Sequence, residues 1–471
     1  MPSATHELPL AGQAMTIAKD VAPAPAPDRI DDGVDAVPPA RRLVPLAFQH
    51  VLVMYAGAVA VPLVVGRALD LPPAQLGMLI SADLVACGFA TLIQTLGLPL
   101  VGIRLPIVMG VTFASISPML AMIAAGHAEG TPPAMVLRGI YGAVIVAGLF
   151  GFLVAPFVGR LSRLFPPAVT GTVILSIGLS LMRVGINWSA GGQPTDPGYG
   201  APAHLALALL TLIVVLCLMR FGRGLLRSGA VLAGTIAGTV IAGAMGQVDL
   251  APVREASWFA LVMPFQYGAP TFDAPASIAM CLVMMTVMIE SFGMFMAAGQ
   301  MVRRPVERHQ MVRGLRGDAV GTLLGGVFNT FPYTSFAQNI GLLSITGVRS
   351  RFVCAGAGVI LLALGVCPKL AALVAAVPLP VLGGAALVMF GMIAATGIRI
   401  LGSVELTFER LVTIAVSIAV GLIPVLSERF FQAMPSALAP LLHSGIVLAS
   451  ISAVGLNAFF GGRESSEAEV V

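Results

Sequence analysis

Lysine is almost missing from this chain: Lys19 and Lys369 are its only two. Charged residues of all kinds make up 10% of the sequence, where a soluble domain carries about 25%. With 57% hydrophobic residues and a mean hydropathy of +0.95, that deficit excludes a soluble protein and leaves a polytopic membrane protein. Paired cysteines are also missing. Cys87, Cys217, Cys281, Cys354 and Cys367 stand singly in apolar runs, so neither a zinc site nor a disulfide framework is indicated. They read as small buried hydrophobes. No Gly-x4-Gly-Lys-Ser/Thr stretch occurs, which excludes an ATP-driven pump coded in this chain, and no His-Glu-x-x-His exists. Gly356-Ala357-Gly358 lacks the setting of a nucleotide fingerprint and reads as close helix packing. The formal net charge of +4 gives no reason to expect a nucleic-acid partner.

What is present is a long series of apolar runs. Residues 1 to about 40 form a polar, Pro-rich tail with no signal-peptide pattern, expected to be disordered. Spans follow near 43–66, 75–97, 106–124, 137–157, 166–183, 204–219 and 229–246. A loop at 247–274 interrupts, and a second series follows near 276–298, 314–330, 333–347, 350–367, 379–397, 409–426 and 440–460. A full crossing takes roughly 20 residues, so the third and tenth are too short to cross as plain helices. Arginine placement fits a count of seven plus seven. Arg41, Arg42, Arg160, Arg163, the 220–227 and 303–316 clusters, Arg349, Arg351, Arg399 and Arg410 all fall on one face. By the positive-inside rule that face is cytoplasmic, with both termini inside. The other face holds mainly Arg67, Arg183, Arg254, Lys369 and Arg429.

An odd number of spans per half inverts the second half relative to the first. An internal echo agrees. Thr112-Phe113-Ala114 in span three resembles Ser335-Phe336-Ala337 in span ten, and Asp83 precedes Pro99 much as Asp318 precedes Pro332. The tenth span, Phe331 to Thr346, is broken by Pro332 and carries Tyr333, Thr334, Ser335, Gln338 and Asn339 before its apolar run. Irregular polar backbone at membrane depth is tolerated only where protein or a water-filled cavity surrounds it. Broken spans in corresponding positions of two halves are the best pointer to a transporter's binding site. The expected fold class is therefore an all-α membrane protein with 14 spans in a 7+7 inverted repeat, spans three and ten each a short strand plus a half-helix.

Glu290 is the only charge in its span. A carboxylate at mid-membrane costs about 2.5–3.5 kcal/mol even on lenient scales, so it should face a partner or a cavity. It is read as an acceptor for substrate N–H groups or as a proton carrier. Asp318 is placed at the start of span nine beside Arg316, as an ion pair or a functional acid. Asp83 is read as structural, and His50 as a supporting residue at the depth of Glu290. The amides of Gln338 and Asn339 offer donor and acceptor together, which suits a heterocycle with alternating N–H and C=O edges. The half-helix starts, with Phe113, Ala114 and Ser115 in span three, offer backbone N–H groups to an electron-rich ligand. Phe113 and Phe336 are expected to stack on a planar ring.

The run Gln338-Asn339-Ile340-Gly341-Leu342-Leu343-Ser344-Ile345-Thr346-Gly347 fits a signature of Gln, Glu or Pro, then Asn, one free position, Gly, four free positions, Thr, and Arg, Lys or Gly. In this the chain resembles the nucleobase–ascorbate transporter family. The resemblance covers the whole chain after the tail. It implies a core domain (41–160 and 276–368), a gate domain (161–246 and 369–462), a loop at 247–275 and short tails at 1–40 and 463–471. It implies an often dimeric proton or sodium symporter of the bacterial cytoplasmic membrane, working by an elevator-like movement of core against gate. It carries substrate binding to Glu290, Gln338 and Asn339, and proton coupling or support to Glu290, Asp318 and His50. Gln338 resembles the purine branch rather than uracil carriers. Thr112, where xanthine carriers commonly have Asn, together with Ile289 to Phe295, looks more like bacterial urate carriers. The expectation is proton-coupled uptake of an oxidised purine, urate before xanthine, with no cofactor and sodium coupling second to protons. Other readings are a uracil carrier, an anion exchanger of the same fold, or an intramembrane enzyme, for which no nucleophile–base pair or ligand set converges.

Overall fold

A computed structural model describes residues 33–157, 165–196, 198–427, 429–435 and 438–468; the side chains of 225, 228, 337, 338, 341, 344, 345 and 461–468 lie outside the description. The chain begins with two long helices, α1 (Ala40–Ala68) and α2 (Pro73–Leu96), and then the strand β1 (Met109–Val111). A 3-10 turn (Phe113–Ser115) leads into α3 (Ile116–Ala128), followed by α4 (Pro133–Val154), α5 (Pro167–Ser189), α6 (Pro202–Phe221), the short α7 (Leu225–Ser228) and α8 (Ala230–Ala244). After the short α9 (Ala251–Glu255) come α10 (Ala274–Val302), α11 (Arg308–Val327), β2 (Tyr333–Ser335), α12 (Ala337–Thr346) and α13 (Arg351–Gly365). The chain ends with α14 (Pro368–Ala375), α15 (Leu379–Leu401), α16 (Phe408–Leu426), the short α17 (Ala439–Leu442) and α18 (Gly445–Ala468).

Among the described residues, eight helices are long and apolar enough to cross a membrane, or nine if α13 and α14, bent by 81°, count as one span. The fourteen expected runs all appear as elements, but not all as plain crossings. β1–α3 and β2–α12 are broken by design, α8 has 15 residues, and α11 carries Arg308, Arg313, Arg316 and Asp318. Two features are not in the hydropathy pattern: the bend at Cys367-Pro368 and the earlier start of α11. Glu307 and Gln310 form a capping box there, satisfying two orphan backbone donors and starting the helix at 308 instead of 314. Asp318 therefore lies in the third turn of α11 and is fully buried, not at a span edge.

The helices pack as two groups. One holds α1, α2, α4, α10, α11 and α13 around the strands, and the other holds α5, α6, α8, α15, α16 and α18. Lipid supplies no hydrophobic drive between helices, so close packing rests on small residues. A Cβ at Gly178 or Gly397 would strike the backbone of the facing helix in the α5–α15 pair, and Gly88 and Gly365 play the same part between α2 and α13. Before α1, the chain is pinned to the first group. Val34 is buried and accepts from the Arg351 N–H, while Asp35 pairs with Arg304 at 2.8 Å and Arg351 at 2.6 Å.

β1 and β2 pair antiparallel, with Met109 opposite Ser335, Gly110 opposite Thr334 and Val111 opposite Tyr333. The pairing reveals the inversion directly. Thr112 N–H donates to Pro332 O at 2.9 Å, and Phe336 N–H donates to Val108 O at 3.0 Å. Met109 N–H donates to Thr91 Oγ1 of α2 at 2.9 Å, and Tyr333 N–H to Thr322 Oγ1 of α11 at 3.1 Å. So 108, 109 and 112 correspond to 332, 333 and 336. This corrects the sequence echo by one residue: Phe336 corresponds to Thr112, not to Phe113. The helices behind the strands are related by a different offset, Thr91 to Thr322, by which Asp318 corresponds to Cys87, one helical turn from Asp83.

Candidate functional site

A one-residue offset in a strand sends the side chain to the other face, and the two phenylalanines behave accordingly. The Phe336 ring is 3% exposed and fills the space over Gly57 of α1 and Gly110 of β1, where a Cβ would collide with it. Phe113 is half-buried and meets Phe390 of α15 edge-on, with centroids 6.0 Å apart. It thus touches the second helix group, while Phe336 packs inside the first.

The two half-helix starts also differ. At the first, Thr112 accepts the Ala114 N–H on its own hydroxyl at 3.2 Å, and the Ser115 hydroxyl donates to Thr112 O at 2.9 Å. Thr112, Ala114 and Ser115 are all buried. At the second, the N-cap is Phe336, and no side-chain cap is made to the first turn of α12 among the described residues. Uncapped N–H groups and the positive end of the helix make this the better place for an electron-rich ligand. Gly347, at φ 66, ends α12; a left-handed cap suits glycine, which accounts for the last signature position.

α10 crosses beside both starts. Ser291 Oγ lies 3.1 Å from Thr334 Oγ1 and accepts the Ser335 N–H at 3.5 Å, which fixes the helix to β2. Glu290, the preceding residue, is half-buried, and no donor pairs with its carboxyl among the described residues. Asp318 stands behind this contact, near the hydroxyls of Ser291 and Ser335 and within the field of Glu290. Gln94 of α2 organises it. Gln94 Nε2 donates to Asp318 Oδ1 at 2.9 Å and to Gly314 O at 3.0 Å, while Gln94 Oε1 accepts the Ile103 N–H at 3.2 Å. Asp318 Oδ2 makes no hydrogen bond among the described residues.

Asn339 and His50 form a separate pair on the far side of α12. Asn339 Nδ2 donates to His50 O at 2.9 Å and faces His50 Nδ1 at 3.1 Å. The carbonyl bond fixes the amide's orientation, so Nδ1 is an acceptor and the ring proton sits on Nε2. Both residues are 1% exposed. They clamp α12 to α1 and do not join Glu290. Asp83 is the opposite of Asp318. It accepts from Tyr333 OH at 2.7 Å, Thr330 Oγ1 at 3.1 Å and Cys87 Sγ at 3.7 Å, so it is a fully occupied brace beneath β2.

The structure thus brings together Glu290, Asp318, Thr112, Ala114 and Ser115 around the paired strands. The backbone of Gln338 opens α12 there, while its side chain lies outside the described residues. The sequence reading missed Gln94, Ser291, Thr91 and Thr322. Their only signal was polarity inside an apolar helix. No group of three metal-ligating side chains occurs among the described residues.

A family described as a permease family (Xan_ur_permease) matches residues 41–430. The chain belongs to that family of nucleobase–ascorbate transporters. The permease is 50% identical over 440 residues to a protein named uric acid transporter UacT of Escherichia coli K12, covering 93% of this chain and 90% of that one. It is 43% identical over 427 residues to uric acid permease PucJ of Bacillus subtilis 168, covering 90% and 93%, and 41% identical over 413 residues to a xanthine permease of the same organism, covering 88% and 92%. Among solved structures, the transmembrane domain of a cyanobacterial bicarbonate transporter, BicA, matches at TM-score 0.57 and 18% identity over 89% of this chain and 99% of that one. That likeness shows the fold alone. The permease is a transport protein, not an enzyme.

Proposed function

We propose that this permease imports an oxidised purine, urate before xanthine, together with a proton, across a bacterial cytoplasmic membrane. Glu290 carries the reading: a half-buried carboxyl, unpaired among the described residues, beside β2 and the uncapped start of α12. Purine N–H groups donate to Glu290, and ring carbonyls or delocalised negative charge take the free N–H groups of α12. Gln338 completes this edge, Asn339 supports it by holding α12 to α1 through His50, and Thr112, Ala114 and Ser115 close the opposite side. The names of the relatives choose urate and xanthine over uracil. Asp318 is the proton acceptor behind Glu290, since it keeps one oxygen free within the Gln94 contacts, and His50 supports it by holding α12. Neutralising an intramembrane carboxyl lowers the cost of moving it past lipid or apolar protein.

In this reading the first helix group is the core, which carries the site, and the second is the gate. The core slides against the gate as an elevator, and the gate faces another copy in a homodimer. Read as fourteen spans, two of them strand–half-helix units, the chain keeps both termini on one face, and the arginine-rich loops support taking that face as cytoplasmic. Uptake of labelled urate and xanthine in cells lacking their own carriers tests the substrate; uracil uptake in place of both would overturn it. Collapse of uptake by a protonophore is expected, and dependence on external sodium would replace the proton. Glu290→Gln should lower uptake by on the order of 100-fold at normal membrane abundance, and a variant that transports normally would remove Glu290 from the site.

A further inference from the structure

Between α9 and α10, from Ala256 to Phe272, the chain carries no charged side chain. The first part of this run turns large apolar groups away from the protein. Trp258 is 74% exposed, and Phe259, Leu261, Met263 and Phe265 are exposed with it. Such a patch is unusual on a surface that meets only water.

The segment is nonetheless tied down along its length. Ala260 N–H donates to Val366 O at 3.2 Å, at the bend between α13 and α14, and Phe265 N–H donates to Val327 O at 2.9 Å, at the end of α11. Asn329 grips it twice: its Nδ2 donates to Met263 O at 2.7 Å, and its Oδ1 accepts the Gln266 N–H at 2.8 Å. Further on, Tyr267 packs against Tyr141 of α4 with ring centroids 6.0 Å apart, Thr271 N–H donates to Arg138 O at 3.1 Å, and Arg138 Nε donates to Ala269 O at 2.6 Å. Phe265 takes φ 51 and Asn329 φ 64. Left-handed backbone is unfavourable for a bulky side chain, so these contacts hold the segment to one path against local strain. Every one of these partners belongs to the first helix group or to its α13–α14 bend. The short α9 before the segment packs on α14. The link to α8 of the second group is left to residues 245–250.

The neighbours of the exposed side chains decide what covers them. α14, beside the Ala260–Val366 bond, exposes Leu370 and Leu373, so the segment extends an apolar surface of the bundle that faces lipid. Lys369 Nζ stands 4.7 Å from the centre of the Trp258 ring. A tryptophan paired with a lysine at the ends of apolar helices suits the headgroup boundary, where the ring lies among acyl chains and the ammonium reaches lipid phosphate.

We infer that residues 257–265 are an anchor in the headgroup–acyl boundary of the bilayer, with lipid as their partner, and that this anchor belongs to the first helix group alone. Interfacial apolar segments sink roughly 5–10 Å into that boundary. The first group therefore carries its own hold on the membrane surface, and the second group shares it only through residues 245–250. This holds whatever ligand the permease carries.

Trp258 and the buried Trp188 are the only tryptophans in the chain. The full-length variant Trp188→Phe therefore reports on Trp258 alone. In proteoliposomes, phospholipids brominated near the glycerol end of their acyl chains should remove most of its emission. Phospholipids brominated near the chain ends should remove less, and aqueous acrylamide little. Adding Phe259→Ser and Leu261→Ser should shift the emission to the red and make acrylamide the stronger quencher; unchanged quenching would show that these side chains anchor nothing. Strong acrylamide quenching of Trp188→Phe with no effect of brominated lipid would place the segment in water and overturn the anchor. Protection from both quenchers would overturn it as well, since a second copy or another protein then covers the face. If Trp188→Phe fails to reach the membrane, the difference between the native chain and Trp258→Phe gives the same reading, because the exposed Trp258 can be replaced without disturbing the core.

Discussion

The two strand–half-helix units share one backbone plan and differ in how their helix starts are finished. β1–α3 closes itself: Thr112 caps Ala114 and Ser115 returns a bond to Thr112. β2–α12 has a phenylalanine at the same position and no side-chain cap. An inverted repeat left alone would give two equal sites. The two units differ at one corresponding position, a hydroxyl that caps its own helix start in the first and a phenyl ring in the second. The carboxyls behind the strands follow the same division. Asp83, bonded from three sides, braces β2; Asp318, one turn out of correspondence, keeps an oxygen free.

Variants that attack each unit in turn sharpen this contrast. Asn339→Ala releases the open unit from α1 by removing both contacts to His50. Uptake should fall by on the order of 100-fold, since small misplacements of a binding group carry costs of that size, while thermal unfolding in detergent should move little. Tyr333→Phe should do the reverse. It strips a buried donor from Asp83 and should cost about 1–3 kcal/mol of stability, read from the unfolding midpoint, with substrate preference retained. Thr112→Val removes the closed unit's own cap on the Ala114 N–H and leaves the start of α12 unchanged. A loss of about 1 kcal/mol is expected, and a large change in KM would show that the first unit also receives substrate.

The smallest effect belongs to neither unit. Burial raises the pKa of Asp35, but Arg304 and Arg351 outweigh it and hold the carboxyl below its ordinary value of 3.8. A depressed acid stabilises the folded strap above the ordinary carboxylate range and loses that contribution as pH falls through the lowered pKa. Asp35 is 56% exposed, so screening keeps the gain small. Limited proteolysis ahead of α1 should quicken slightly in Asp35→Asn at neutral pH, and the native chain should match it only in strong acid.

Much of this architecture was readable from residue order. Hydropathy gave fourteen elements near their observed bounds, and Pro332 with its polar neighbours marked the broken span. Glu290 stood out because a single charge in an apolar run has few explanations. The pairing partners were not readable. Gln94 reaches Asp318 across 224 positions, and nothing local in α2 announces it. The Phe-Ala echo was real as text but misaligned as structure, because a strand register is set by hydrogen bonds to Thr91 and Thr322 and not by side-chain likeness. Asp318 was misplaced for a local reason: a capping box lengthened α11 at a point where hydropathy is low.

The ladder of β1 and β2 also governs how the protein is made. Residues 109–111 wait for residues 333–335, so the first repeat enters the membrane with a polar strand edge that only the second can cover. Unpaired backbone groups at that depth are costly. A ribosome must deliver more than two hundred further residues before the membrane-embedded first half is satisfied. A chain truncated after α8 should therefore be cleared by quality-control proteases, and co-expressing the missing half should protect it.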